Sequence, residues 1–166
     1  EAELAGKSCR YVPRGNRSIT MSRPAQYLGQ QSYIDASNND IICLVMIETQ
    51  AALDNIQNIT RVPEIDGVYI GPGDLSLDMG IGLTDWPTSD VHLEACQAVL
   101  GATKRAGLIP CHHGGNPSNS ARLIKMGFMF CTICTDLQML STASASALTA
   151  FHNSLKEPIA NPLIRR

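Results

Sequence analysis

Two carboxylates and a pair of histidines in this 166-residue chain stand where side chains can do chemistry. Glu48 closes an apolar run, IICLVMIE (41–48), and Asp74 follows a second run, GVYI (67–70), across Gly71-Pro72-Gly73. If both runs are strands of one parallel sheet, both acids lie at its C-terminal rim, where parallel α/β folds gather functional groups. Consecutive units are usually neighbours, so the carboxylates converge. Two bare carboxylates at close range repel, and one is driven toward protonation. A divalent cation removes that conflict. Oxygen donors with no cysteine or histidine nearby suit a hard ion such as Mg²⁺, Mn²⁺ or Co²⁺, its other positions going to water and a chelating substrate. Gly71 and Gly73 let the backbone turn sharply and bare its N–H groups, while Pro72 stiffens the turn. The amides of Gly73 and Asp74 are then placed to receive a small carboxylate beside the ion. A purely structural reading competes: Asp74 caps the loop, and Glu48 pairs with a lysine or arginine.

His112-His113-Gly114-Gly115 closes a third apolar run, LIPCH (108–112). His112 is therefore a candidate replacement base or ligand on the same rim, against the plainer reading of a loop histidine. His92 and His152 fall in helical stretches and read as surface residues. Gly114-Gly115 leading into Asn116-Pro117 is a weak anion-binding candidate. Arg14 and Arg17, in PRGNRS (13–18), fit an anionic ligand or, more simply, a solvated loop or an interface. Trp86, Pro87 and Met79 read as packing beneath the loop after Asp74, or as a subunit contact. Cys131 and Cys134 have CxxC spacing but lie in FMFCTIC (128–134), a strand-like run. Residues three apart on a strand face opposite ways, and no helix start is there to acidify a thiol.

The elements that position these groups are four strand–helix units. After 41–48, Thr49 caps a helix to about Ile59, with Ala52, Ile56 and Ile59 on one face. After 67–70 comes a loop, then a helix from Ser89 or Asp90. Val91, Ala95, Val99, Ala102 and Ala106 form its inner stripe, and Gly107 ends it. After 108–112, Asn116 and Pro117 are the N-cap and N1 of a helix that stops at Gly127. After 128–134, a last helix opens at Thr135 or Asp136, with a stripe of Leu137, Leu140, Ser144, Leu148, Phe151 and Leu155. Near-continuous apolar strands alternating with amphipathic helices predict a parallel α/β sheet covered on its outer face. Residues 1–40 read as the end of a helix, a loop and a polar helix or lid. Residues 41–156 carry the four units, and 157–166 form a tail.

Composition excludes several classes. With 44% hydrophobic and 17% charged residues and a net charge of −2, nothing marks the chain for nucleic acid or an anionic membrane. No unbroken apolar run reaches the length that spans a bilayer. Six scattered cysteines suit a reducing, cytoplasmic setting better than a disulfide framework. The chain opens on Glu1 rather than methionine, which points to a removed start or to a piece of something longer.

VMIETQAALDNIQNITRVPEIDGVYIGPGDLSLDMG (45–80) closely resembles the signature of the HpcH/HpaI aldolases, in the phosphoenolpyruvate/pyruvate-binding barrel superfamily. The pattern I-E-T, A-x-x-N-I, V-P-x-I-D-G-V and I-G-P-x-D-L-S appears as Ile47 to Thr49, Ala52 to Ile56, Val62 to Val68 and Ile70 to Ser76. RYVPRGNRS (10–18) and MGFMFCTICTDLQML (126–140) resemble two further family segments. The resemblance implies the C-terminal portion of a (β/α)₈ TIM barrel, about four βα units of it. It also implies Glu48 and Asp74 as metal ligands, and the Gly73 and Asp74 amides as the site for the carboxylate of a 2-oxo acid.

The implied activity is a metal-dependent carbon–carbon lyase of the class II aldolase type, running through a metal-stabilised pyruvate enolate. Its substrates would be 4-hydroxy-2-oxo acids or oxaloacetate. The family also implies a homo-oligomer, a hexamer, with 137–155 crossing the interface. Two departures qualify this. The family's upstream histidine base and arginine have no counterpart here, and Met46 stands where a glutamine is expected. A truncated, non-catalytic half-barrel is therefore one alternative. A citrate lyase β-like enzyme acting on an acyl-CoA is another, though the basic patch it calls for is not found in the sequence.

Overall fold

Four short apolar segments pair in one parallel sheet, ordered as in the chain: β1 Leu44–Ile47, β2 Gly67–Ile70, β3 Ile109–His113 and β4 Phe130–Thr132. The helices are α1 Ala2–Cys9, α2 Arg23–Leu28, α3 Gln30–Asp40, α4 Gln50–Asp54, α5 Ile56–Ile59, α6 Pro72–Asp78, α7 Asp90–Ala106, α8 Pro117–Met126 and α9 Asp136–Lys156. They belong to a computed structural model that describes residues 1–19, 23–84 and 86–156; the expected tail at 157–166 lies outside them.

Register aligns Ile47, Ile70, His112 and Cys131 in one row across the sheet, and Met46, Tyr69, Cys111 and Phe130 in the next. Because side chains alternate, the two rows face opposite ways. Ile47, Ile70 and Cys131 of the first row, with Val45 and Val68, belong to the main core with Ala95, Cys96, Val99 and Ala102 of α7 and Leu123 of α8. Fully burying a valine, leucine or isoleucine of this set contributes roughly 1.5–3 kcal/mol. The second row faces away from that layer, and Met46 and Phe130 are 51% and 50% exposed.

Local chemistry sets the element ends. Thr49 Oγ1 accepts the Ala52 N–H at 3.1 Å and starts α4. Asn116 Oδ1 accepts the Asn119 N–H at 2.9 Å and starts α8, with Pro117 following it. Gly107 (φ 70°) and Gly127 (φ 118°) end α7 and α8 in the left-handed conformation that glycine adopts without strain.

Several expectations are corrected. The helix expected from Thr49 to Ile59 breaks at Asn55 into α4 and α5. Gly71-Pro72-Gly73 opens a helix, α6, rather than a loop, because a proline at N1 is already set for helical φ. The expected polar helix of the first 40 residues is two helices, separated at Gly29 (φ 80°). The inner stripe of α7 is rotated: Val91 is 49% exposed, while His92, Cys96 and Thr103 are fully buried. His92 is therefore a core residue, not a surface one. The predicted stripe of α9 is not covered by the described residues: no residue of that helix is buried.

At the N-terminal ends of the strands, Arg10 is 1% exposed. Its Nη2 donates to Asp66 Oδ2 at 2.6 Å, its Nε to Glu64 Oε2 at 3.2 Å, and its Nη1 to the Ile41 carbonyl. Arg14 pairs with Glu64 at 2.7 Å, and Asp66 also accepts the Cys43 N–H at 2.6 Å. Arg17 lies 4.8 Å over the Tyr11 ring and 5.6 Å from that of Tyr33. Arg14 and Arg17 are thus spent on contacts within the protein.

Candidate functional site

At the opposite rim, β1 ends at Ile47 and hands Glu48 to the C-terminal edge; β2 ends at Ile70 and hands Gly71 to the start of α6. The Gly71 N–H donates to the Ile47 carbonyl at 3.1 Å, which ties the two strand ends together. A Cβ at Gly71 would lie 2.9 Å from Met46 Sδ and 3.3 Å from Glu48 Cβ. Gly71 is therefore small because Glu48 and Met46 approach it, not because its backbone is unusual (φ −92°). Gly73 meets only Leu83 Cδ2, at 3.9 Å, so sterics do not demand glycine there. Asp74 stands in the first turn of α6, where backbone N–H groups lack intrahelical partners and favour negative charge.

Neither carboxylate follows the structural reading. Among the described residues, Glu48 and Asp74 make no ion pair and no side-chain hydrogen bond. Asp74 lines an open hollow of about 450 Å³ together with Met46, Tyr69, Gly71, Gly73 and His113. Glu48 lines a second hollow, and Met46 borders both.

The two histidines part company. Strand β3 runs one residue further than expected, so His113 still obeys strand alternation and turns to the Met46–Tyr69 face. Its Nδ1 lies 2.8 Å from Thr132 Oγ1 and 3.2 Å from the Tyr69 hydroxyl. His112, the candidate base, turns the other way, into the layer under α7, and is fully buried. It is absent from the lining of the Asp74 hollow, and His113 takes the place expected of it.

His112 stands instead in a cluster that the sequence reading missed. Its Nε2 is 3.2 Å from His92 Nε2, and one ligand atom each of His92, Cys96 and His112 fall within 4.8 Å of one another. Trp86 packs over both rings, at 5.2 Å from His92 and 5.5 Å from His112. Burial pushes the His92 pKa down to about 4 and that of His112 to about 3, and it pushes the Cys96 thiol up to about 12. The signal was present: His92 and Cys96 are four apart on a helix and so share a face.

Over residues 1–143 the chain matches the family described as HpcH/HpaI aldolase/citrate lyase. It is 37% identical over 155 residues to a hydroxypyruvate/pyruvate aldolase of Rhizorhabdus wittichii, covering 89% of this chain and 59% of that protein. It is 32% identical over 157 residues to a 4-hydroxy-2-oxo-heptane-1,7-dioate aldolase of Klebsiella pneumoniae, covering 93% and 58%. Among solved structures, a HpcH/HpaI aldolase/citrate lyase family protein from Burkholderia cenocepacia superposes with a TM-score of 0.77 at 24% identity, over 91% of this chain and 60% of that one. Macrophomate synthase superposes with a TM-score of 0.69 at 25% identity, over 90% and 54%. The chain thus spans less than three-fifths of the length of these curated relatives.

Proposed function

Since the chain belongs to the HpcH/HpaI aldolase/citrate lyase family, we propose that it carries the metal-holding part of a divalent-metal-dependent carbon–carbon lyase acting on 2-oxo acids. Glu48 and Asp74 are the metal ligands of this reading. The observation that carries it is the pair itself: two carboxylates on adjoining strand ends, without a protein partner among the described residues. The cradle fits a cation, because a Cβ at Gly71 would crowd Met46 and Glu48. The oxygen donors suit Mg²⁺, Mn²⁺ or Co²⁺.

When bound, such an ion supplies Lewis-acid polarisation of a 2-oxo group. The chain's own groups would do the rest. The Gly73 and Asp74 amides, in the first turn of α6, orient the substrate carboxylate. Met46 shields one side of the hollow from water, and His113 offers an imidazole whose Nδ1 is tethered to Thr132. The relatives' names, a hydroxypyruvate/pyruvate aldolase and a 4-hydroxy-2-oxo-heptane-1,7-dioate aldolase, support 4-hydroxy-2-oxo acids as substrates. Oxaloacetate shares their 2-oxo carboxylate. A homo-oligomer in the cytoplasm is part of the proposal; the exposed apolar side of α9 and six free thiols support it.

A second reading, a half-barrel that holds metal without turnover, draws support from the uncovered sheet face around Met46 and Phe130. One experiment separates the two. Oxaloacetate decarboxylation is followed with Mg²⁺, Mn²⁺ or EDTA, subtracting the rate of free metal. A protein-dependent excess that needs both metal and Asp74, and is lost in Asp74→Ala, supports the lyase. Metal binding that depends on Asp74, with no excess rate, supports the half-barrel. No metal binding at all removes both.

A further inference from the structure

We propose that His92, Cys96 and His112 form a second metal site, a buried Zn²⁺ centre on the helix-covered face of the sheet, separate from the carboxylate pair at the rim. It does not depend on the lyase reading. Two ligands come from one face of α7 and the third from β3, so the ion would clamp the longest helix of the main core onto the sheet.

The spacing between the rings, now bridged by a hydrogen bond, also suits a shared ion. Zn–N bonds of about 2.0–2.1 Å place two imidazole nitrogens on a tetrahedral ion about 3.3 Å apart, and the two Nε2 atoms are 3.2 Å apart. A thiolate on the same ion stands about 3.6 Å from each nitrogen. The three ligand atoms now lie within 4.8 Å, so the Cys96 sulfur closes by about 1 Å through side-chain rotation. His112 is already set for the role. Its Nδ1–H donates to the His113 carbonyl at 2.8 Å, leaving the Nε2 lone pair facing His92. That is the outer hydrogen bond by which metal-binding histidines are usually oriented.

Without an ion, the cluster is poorly satisfied. A single proton joins the rings, donated by His92 Nε2–H to His112 Nε2. His92 Nδ1 remains buried without a partner, and among the described residues Cys96 makes no hydrogen bond. All three residues are fully buried. The Cys96 thiol gives its proton to solvent as the metal–sulfur bond forms.

The nitrogen and sulfur donors select a borderline-soft ion over Mg²⁺, and in this the site differs from the rim. One thiolate and two imidazoles leave the fourth position to a water.

Cobalt is the probe. The chelator-treated 166-residue chain is titrated with Co²⁺ in the Asp74→Ala background, so that the rim does not contribute. The expected result is one equivalent bound per chain, with a near-ultraviolet thiolate-to-cobalt band and intense tetrahedral visible bands. Zn²⁺ bleaches both, and a large excess of Mg²⁺ does not. Cys96→Ser and His112→Gln lose the tetrahedral spectrum. No thiolate band in the folded chain overturns the proposal, as does a band that persists unchanged in Cys96→Ser. Should those variants fail to fold, the Tm of the Asp74→Ala chain decides. One equivalent of Zn²⁺ raises it by several degrees and a chelator reverses the rise; an unmoved Tm overturns the site.

Discussion

At the N-terminal end of the sheet, Arg10 is buried and engages Glu64, Asp66 and the Ile41 carbonyl, and Arg14 closes the remaining side of Glu64. At the C-terminal end, Glu48 and Asp74 face open hollows and meet no cation of the described protein. The same residue types serve opposite purposes on one small sheet. Charges satisfied internally hold the chain together, and breaking them strands a buried partner. Charges left unsatisfied contribute little to folding and keep their attraction for a ligand. On the function proposed above, stability and binding fall to different ends of the same strands.

The largest effect expected from that contrast is at the lower end. Arg10→Met leaves Glu64 and Asp66 without their shared cation and should cost about 2–3 kcal/mol, somewhat below the figure for a fully buried pair because both acids are partly solvated. Urea denaturation measures it, and a loss under about 1 kcal/mol would dissolve the contrast.

At the upper end the pattern inverts. Asp74→Asn should weaken Mn²⁺ binding at least tenfold, or about 1.4 kcal/mol, while leaving folding stability unchanged or slightly raised. Calorimetric titration beside a denaturant curve reads both, and a variant that unfolds early would make Asp74 structural after all.

Next comes pH. Arg14, followed by Arg10, holds the Glu64 carboxyl below its ordinary value of 4.5. The folded state therefore keeps Glu64 ionised where the unfolded chain takes up a proton. Its stabilisation is complete above about pH 4.5 and fades as pH falls through the lower folded value. Arg14→Gln should shift the acid limb of the stability curve upward and cost about 0.5–1 kcal/mol near neutrality. An unshifted limb would mean that Arg10 alone accounts for the depression. The smallest effect is at Met46, which is half exposed on the rim side. Met46→Gln should change stability by less than about 0.5 kcal/mol yet tighten pyruvate binding several-fold, as read by equilibrium titration with Mg²⁺ present. Weaker binding would show that the thioether itself is wanted there.

Much of this arrangement was legible beforehand, for local reasons. GVYI became β2 residue for residue, and Thr49, Asn116, Gly107 and Gly127 set helix ends, because caps act through neighbouring backbone groups. Glu48 and Asp74 were legible as candidates, since apolar runs show where strands end. What escaped depended on three dimensions. Gly-Pro-Gly signals a turn and a helix start equally well, and only the docking of Leu75 into the core decides for α6. His92 reads as a surface residue of a helical stretch, although its spacing to Cys96 places both on one face. β3 lies one residue later than the expected run, which brings His113 into the strand on the face opposite His112, since a period of two makes facing sensitive to register.

The helix α9 is about 31 Å long at 1.5 Å per residue, and none of its side chains is buried. Its amides are therefore protected by their own hydrogen bonds and not by the global free energy of the sheet. An isolated helix of this length frays and reforms on the submicrosecond scale, whereas the amides of α7 open only when the core does. Two clocks run in one chain. Deuterium uptake along α9 reads whether anything has come to lie against Leu140, Leu148 and Phe151, and it does so without disturbing the clock set by the sheet.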